Sequence, residues 1–598
     1  MSDNPNKITR LWSELKRRKV VRVITVYAAA AFVILELASI VIEPLRLPDW
    51  TLAMIIVLLC IGFIIAVILS WIYDVTPEGI EKTRPAKITT EPSPESPSRV
   101  LGWKIATIIS VIVIACLVAW NILKSKERPG NIQTLEKSIA VLPFDNRSGK
   151  EEDAYFTDGI HDQVISQLYK IGGLSVRGRT SVDVYRNSPK NLRTIGEELN
   201  ANYLLEGGVQ RAGEMVRINV QLIDARSDDH LWTEIYDRPL STENLLSIQS
   251  EIALKIASEM KLILSPEEKT RIQARQTENL EAYNACLRGR FYMAKRTRKT
   301  IQTAQQYFLE AISLDSTYAL AYAGLADSYV QLSGYGAVPT AEAYPLAKDA
   351  ASRALALDPN LGEAWLSSAW VEFHLQKGHK DLHEEFEKAI DLAPGLANAY
   401  HWYAWYYFGW EQFDRAEMLI QKALEIDPLS ILINTSAGQL SVYAGNVDQA
   451  IERLHSVLEL DPTYPRANNA LGQAYVLKDK FDLALDHIHR AVDYSDRNPQ
   501  YIGTLAWALG RAGMNEEVES LINELNRQAE QNYVSAYDFA TAYMGTGNFS
   551  KAMEYLQISV KENDAMLCWV TTDPRFVYVK DQPEFRRIIK LVWPETGE

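Results

Sequence analysis

Two consecutive stretches decide the architecture: Ala397–Pro428, ANAYHWYAWYYFGWEQFDRAEMLIQKALEIDP, and Leu429–Pro462, LSILINTSAGQLSVYAGNVDQAIERLHSVLELDP. Both close on Asp-Pro, and slim residues recur at matching places: Ala404, Ala416 and Ala423 in the first, Gly438, Ala450 and Val457 in the second. Apolar residues return at three- and four-residue steps on either side of a central break, the pattern of two helices joined by a turn. Working outward, Pro359, Pro394, Pro428, Pro462 and Pro499 stand 35, 34, 34 and 37 residues apart, and Gly472, Ala484 and Ala491 mark a third unit. Ser316 takes the place of the first proline, and the gap of 43 to Pro359 marks an insertion near Gly334–Pro339. A helix pair of this size has an apolar face too wide to bury alone, so neighbours stack into a superhelix with a concave inner wall. About eight units fill residues 281–570, and 571–598 read as an atypical capping end.

The pattern resembles the tetratricopeptide repeat. The resemblance implies that the first helix of each pair lines the groove. Carried over by position, it places Trp370 and Phe373 inward in one unit, and Asn398, His401, Trp402, Trp405 and Phe408 in the next. Thr435, Gln439, Val442 and Tyr443 follow, then Arg466, Asn469, Gln473 and Val476, while Tyr400 and Tyr403 fall at core positions. Rigid rings beside amides suit an extended peptide or an amphipathic helix, because ring area adds contact at little entropic cost and amides satisfy a backbone. The competing reading is that the rings only wedge adjacent repeats together.

Ahead of the repeats, residues 137–263 change period. Ser138–Phe144 is a short apolar run closed by a turn, Ile160, Val164, Ile165, Leu168 and Ile171 share a helix face, and Val216, Ile218, Val220 and Leu222 alternate with polar positions. This predicts a small α/β domain. Its words IAVLPFDNRSG, DGIHDQVISQLYKIGGLSVRGRTS and YLLEGGVQRAGEMVRINVQLIDARSDDHLWTEIYDR resemble the TolB amino-terminal and FlgO-type domains. That implies an envelope interaction or sensing module without catalytic residues. A similar unit followed by helices forms the sensor of CadC-like membrane regulators, whose cytoplasmic effector domain does not fit in the 22 residues before the first apolar run.

The amino-terminal part is basic and apolar. Residues 1–22 hold seven Lys and Arg, and Val23–Ile42, Leu52–Tyr73 and Ile105–Leu123 each approach the length that crosses a bilayer. The expected fold is therefore multidomain: three transmembrane helices, the small α/β domain, then an all-α tetratricopeptide superhelix. Basic flanks place the amino terminus and the proline-rich linker 74–103 in the cytoplasm and everything after residue 123 in the periplasm of a bacterium, with the lipid bilayer as a partner. Glu36, the one acid inside a span, is tolerable near its edge.

The whole chain has 598 residues, 62 Lys and Arg and 76 Asp and Glu, a net charge of −14, which argues against a nucleic-acid partner. Four widely spaced cysteines offer neither a disulfide framework nor a C-x-x-C site. Phosphate-loop, dinucleotide, nucleophile-elbow and H-E-x-x-H signatures are missing. His379 and His383, four apart, lack a third ligand at a recognisable distance, so no metal and no other cofactor is expected. The expectation is a non-enzymatic, membrane-anchored scaffold that captures protein or peptide partners in the groove. The alternative is a sensory protein that signals to a separate cytoplasmic effector; sequence leaves the oligomeric state open.

Overall fold

A computed structural model describes residues 137–593 apart from 151–152, 187 and 377–380, together with the strands 73–76 and 79–82 and scattered residues between 27 and 63. Two compact units divide at residues 129 and 130. In the first, β1 (Tyr73–Thr76) and β2 (Gly79–Lys82) form an antiparallel hairpin inside the stretch expected to be a loose linker.

No helix among the described residues is long and apolar enough to cross a membrane. This overturns the expectation of three transmembrane helices, and with it the multi-pass inner-membrane placement and the periplasmic assignment. The physical reason is periodicity: a span needs about 20 residues apolar on every side, whereas the longest described helices, of 18 residues, bury one stripe and keep a charged face outside. The stretches 23–42, 52–73 and 105–123, the basic tail and Glu36 lie, save for isolated residues, outside the described ones.

The second unit begins with a sheet domain. Its strands β3 (Ser138–Val141), β4 (Asp145–Asn146), β5 (Ser175–Val176), β6 (Tyr203–Ala212), β7 (Met215–Asp224) and β8 (Asp229–Pro239) assemble in the order β5-β3-β6-β7-β8, with β4 also on β6. β3 runs parallel to β5 and β6, and β6, β7 and β8 form an antiparallel meander. The alternation read in the sequence buries Val216, Ile218, Val220 and Leu222 on one face, where α1 (Ala154–Tyr169) and α4 (Thr242–Glu259) cover them with Ile160, Val164, Ile248 and Ile252. The shorter α2 (Arg179–Asp183) and α3 (Leu192–Glu198) close the other side over Ala140, Leu142 and Leu204. A connecting helix, α5 (Pro266–Gln273), starts on a capping box formed by Ser265 and Glu268.

Eight helix pairs follow among the described residues: α6 (Leu280–Ala294) with α7 (Arg298–Leu314), α8 (Ala319–Gly334) with α9 (Thr340–Leu357), α10 (Gly362–Gln376) with α11 (His383–Leu392), and α12 (Ala397–Gly409) with α13 (Phe413–Ile426). The second four are α14 (Ile431–Tyr443) with α15 (Val447–Leu460), α16 (Pro465–Leu477) with α17 (Phe481–Tyr494), α18 (Pro499–Arg511) with α19 (Asn515–Ala529), and α20 (Ala536–Thr546) with α21 (Phe549–Lys561). Asp-Pro ends the second helix because proline cannot continue it, and the slim residues let partners approach: a Cβ on Gly438 would sit 2.6 Å from Leu454 and one on Gly472 2.3 Å from Ile488.

The tightest crossing is between α18 and α20, where a Cβ on Gly510 would lie 1.9 Å from the Gly545 carbonyl oxygen. Backbone cannot swing aside as a side chain can. Gly510→Ala is expected to cost at least about 1–3 kcal/mol by forcing the two helices apart, read as a lower urea midpoint with unchanged helicity after refolding; a midpoint within error of the parent would show that the crossing is not this close.

Beyond α21 the described residues hold two 3-10 turns (Ala565–Trp569 and Pro574–Val579) and α22 (Pro583–Val592). This segment does more than cover the last pair. Leu567, Trp569, Val570, Phe576 and Phe585 belong to the same core as residues of α10 and α12.

Candidate functional site

The concave wall divides into an aromatic part and a polar part. Helix α12 supplies both, because ANAYHWYAWYYFG puts Asn398 and His401 one turn apart and Trp405 and Phe408 one turn further on the same side.

In the aromatic part the rings already have a partner. Trp569 lies with its centroid 5.0 Å from Trp405 and 6.1 Å from Trp370, and its indole N–H donates to the Trp405 carbonyl at 3.2 Å. Trp370 and Trp402 are 4.9 Å apart, and Phe373 stands 6.2 Å from Trp593, which in turn lies 5.1 Å from Trp410. Phe408 packs between Phe413 at 5.1 Å and Tyr443 at 6.3 Å. Of the predicted rings, Trp370 keeps 9 % of its surface, Trp402 8 %, Trp405 5 % and Phe373 2 %. The expected open aromatic face is thus a wall that holds the C-terminal segment, and sequence spacing showed its side without showing its occupant.

Two groups beyond Trp569 fix that segment. Asp573 and Arg575 form a buried ion pair, and the Asp573 carboxylate also accepts from the Tyr537 hydroxyl at 2.7 Å. Arg575 Nη1 donates to Thr504 Oγ1 of α18 at 3.1 Å.

The polar part is differently placed. His401 Nε2 pairs with Ser436 Oγ at 2.9 Å and Nδ1 with Asn398 Oδ1 at 3.2 Å. Arg466 donates through Nε and Nη2 to Gln439 Oε1 at 3.1 and 2.9 Å, with its guanidinium 6.0 Å from the Trp405 ring centre. Thr435 spends its hydroxyl on the Ile431 carbonyl at 2.6 Å. Asn469 Oδ1, Gln473 Oε1 and the Tyr443 hydroxyl are buried without a hydrogen-bond partner among the described residues. Burial, with Arg466 and Arg296 adding to it, pulls the His401 pKa down to about 3, so the imidazole stays neutral. Neither Arg466 nor Arg296 is within ion-pair distance of a carboxylate among the described residues, although Arg296 acts electrostatically on the carboxyls of Asp327 and Asp427. Arg296 escaped the sequence reading: it follows α6 in a left-handed conformation, φ 49°, and no repeat position points to it.

The sheet domain docks on the loop edge of the array. Asp427, read from sequence only as punctuation, accepts from Thr180 Oγ1 at 2.7 Å, Ser181 N at 3.1 Å and Ser181 Oγ. Arg177 Nη1 donates to the Glu425 carbonyl at 2.8 Å, and Gly178 N to that of Ile426 at 3.1 Å. Arg290 bridges Glu363 Oε1 at 3.3 Å and Ser166 Oγ at 3.2 Å, and Gly159 of α1 abuts Leu287. His383 bonds Tyr403 and Tyr407 and faces Glu387 at 3.2 Å, while His379 lies outside the described residues. No cluster of three or more metal-ligating side chains occurs among the described residues.

Comparisons with known proteins agree on the two parts. Residues 135–254 match the model of the HilA/YgeH-like transcriptional regulator second domain, and 397–428 and 438–479 match tetratricopeptide repeat models. The chain is 37% identical over 188 residues to a putative adenylate cyclase 3 of Rhizobium meliloti, covering 31% of this chain and 32% of that one. It is 22% identical over 331 residues to the transcriptional regulator HilA of Salmonella typhimurium, covering 53% and 56%. The chain therefore spans about a third and about half of these relatives. Among solved structures, PilF of Pseudomonas aeruginosa aligns at 18% identity and a TM-score of 0.28, over 36% of this chain and 94% of that one.

Proposed function

We propose that this chain is a non-enzymatic scaffold whose tetratricopeptide array captures an extended, acidic peptide segment of a partner protein along the polar part of its concave wall. The observation that carries the reading is that two guanidinium groups near His401, Arg466 and Arg296, have no carboxylate at ion-pair distance among the described residues, and that the buried amide oxygens of Asn469 and Gln473 have no donor there. A peptide supplies both complements: backbone N–H groups for the amides and a carboxylate for the arginines. His401, held neutral, adds no charge of its own. The aromatic wall contributes rigidity, since Trp569 and Trp593 fill it and keep the first helices in register.

The sheet domain, similar to the second domain of HilA/YgeH-like regulators, serves as a second docking surface tied to the first through Asp427. A second reading is sensory. It is favoured by the alignment with HilA, which covers 331 residues, more than the sheet domain alone contains. In that reading occupancy of the wall alters docking of the sheet domain and so informs a separate effector.

The test is capture of acidic peptides against their amide counterparts, Glu replaced by Gln, by the full chain. Arg466→Ala combined with Arg296→Ala is expected to weaken acidic-peptide binding about tenfold or more, as loss of a charge-assisted hydrogen bond of about 1.5–3 kcal/mol implies, while leaving the amide peptide and helicity unchanged. Equal affinity for both peptides in the parent chain would end the proposal.

A further inference from the structure

Strand β8 ends the sheet order, so its second edge has no strand partner among the described residues. It is long for an edge, eleven residues, and ten of the residue pairs that join it to β7 are formed. Asp229, Glu234, Asp237 and Arg238 charge the strand, but the other usual guards are thin. The strand carries no lysine, its one proline is its last residue, and a single irregularity at Leu231 breaks the ladder near its start.

The exposed large apolar residues of the sheet gather at this edge. Ile235 keeps 62 % of its surface, Leu231 42 % and Met215, at the start of β7, 41 %. Ile235 lies opposite Asn219 on the outer face, away from the helices that cover Trp232 and Tyr236.

We infer that β8 pairs antiparallel with β8 of a second copy of this chain, extending the two sheets into one across a two-fold axis at Ile235. An isologous antiparallel pair places residues of the same face opposite one another, so only registers centred on a residue keep the faces matched. Centring on Glu234 sets that carboxylate against its own copy. Centring on Tyr236 sets Ile235 against Asp237. Centring on Ile235 stacks the most exposed apolar side chain on itself and sets Thr233 against Asp237, Glu234 against Tyr236 and Trp232 against Arg238, with no like charges opposed. The same register carries Leu231 of the second copy to Pro239, so Ile235 and Leu231 both gain apolar neighbours.

The experiment uses the full chain. Sedimentation velocity is expected to show a dimer that dissociates on dilution, and Ile235→Lys, which sets two ammonium groups on the axis, is expected to leave only monomer with an unchanged circular dichroism spectrum. Ile235→Cys places two thiols directly opposite each other and is expected to cross-link under mild oxidation, whereas Thr233→Cys, which faces Asp237, is expected to cross-link far less. A chain that stays monomeric at every concentration, or a dimer that survives Ile235→Lys, overturns the inference; a Thr233→Cys cross-link as strong as that of Ile235→Cys overturns the register.

Discussion

Asp573→Ala is expected to lower the unfolding free energy by about 3–5 kcal/mol, because it strands a guanidinium in the core. The side chains of Arg575 and Asp573 keep 3% and 1% of their surface. Arg575 donates to Asp573 from its main-chain N at 2.9 Å and from Nε at 2.9 Å, so one carboxylate serves both the turn and the charge. Removing it leaves Arg575, among the described residues, with Thr504 as a side-chain hydrogen-bond partner and the face of the Tyr537 ring, and also deprives the Tyr537 hydroxyl of its acceptor. Water would have to enter or the segment would have to leave. The segment is the easier to move, so Trp569 should lose its stack on Trp405 and become quenchable, and a protease should cut between residues 561 and 573. Arg575→Met in the same background removes the uncompensated charge and is expected to recover more than half of the loss. Urea midpoints of the three chains decide the matter; a cost below about 1 kcal/mol for Asp573→Ala would mean that the pair is not what anchors the segment.

Asp538→Asn works in the opposite direction and depends on pH. Asp538 is buried, and burial, reinforced by the neighbouring Asp564 and opposed by Arg575, pushes its pKa up to about 8 from 3.8. An acid whose folded pKa lies above its unfolded one binds its proton more tightly when folded. Its burial therefore costs little at pH 4, and stability falls as pH rises from about 4 to 8. At about 1.36 kcal/mol per pH unit the penalty reaches on the order of 4 kcal/mol at pH 7. The asparagine variant cannot ionise, so it is expected to be more stable than the parent by that order at pH 7 and nearly equal to it at pH 4. A gain of the same size at both pH values would show that shape, and not charge, is responsible.

The elements that were legible in the sequence are those whose signal is local. Helix α13 stops at Ile426 and α15 at Leu460, immediately before Asp427-Pro428 and Asp461-Pro462, since proline's fixed φ and missing N–H act on its own neighbours. β7 spans Met215–Asp224 around the alternating valines and isoleucines for the same reason. What periodicity reports is a face, never what covers it. It put Trp370 and Trp405 on the inner side and was silent about Trp569, 164 residues further on. Nor could it find Arg296, which lies between helices, or distinguish Asp427 as punctuation from Asp427 as the carboxylate that receives the sheet domain. Hydropathy over the first 123 residues led to three spans, yet no described helix is long and apolar enough to cross a membrane. The polar wall was named residue by residue, from Asn398 to Gln473, but which charges surround it emerged only from the structure, which brings Arg296 in from between helices.

Repeat arrays ordinarily settle unit by unit as each neighbour arrives, yet here α10 and α12 wait for residues 565–593, far downstream in the chain. During translation the Trp405 indole waits while the ribosome adds the next 164 residues, up to Trp569, roughly ten to thirty seconds at about 5–20 residues per second. A nascent chain halted in that interval carries an unsealed greasy channel, so premature termination yields a client for chaperones and proteases, not a shorter working array.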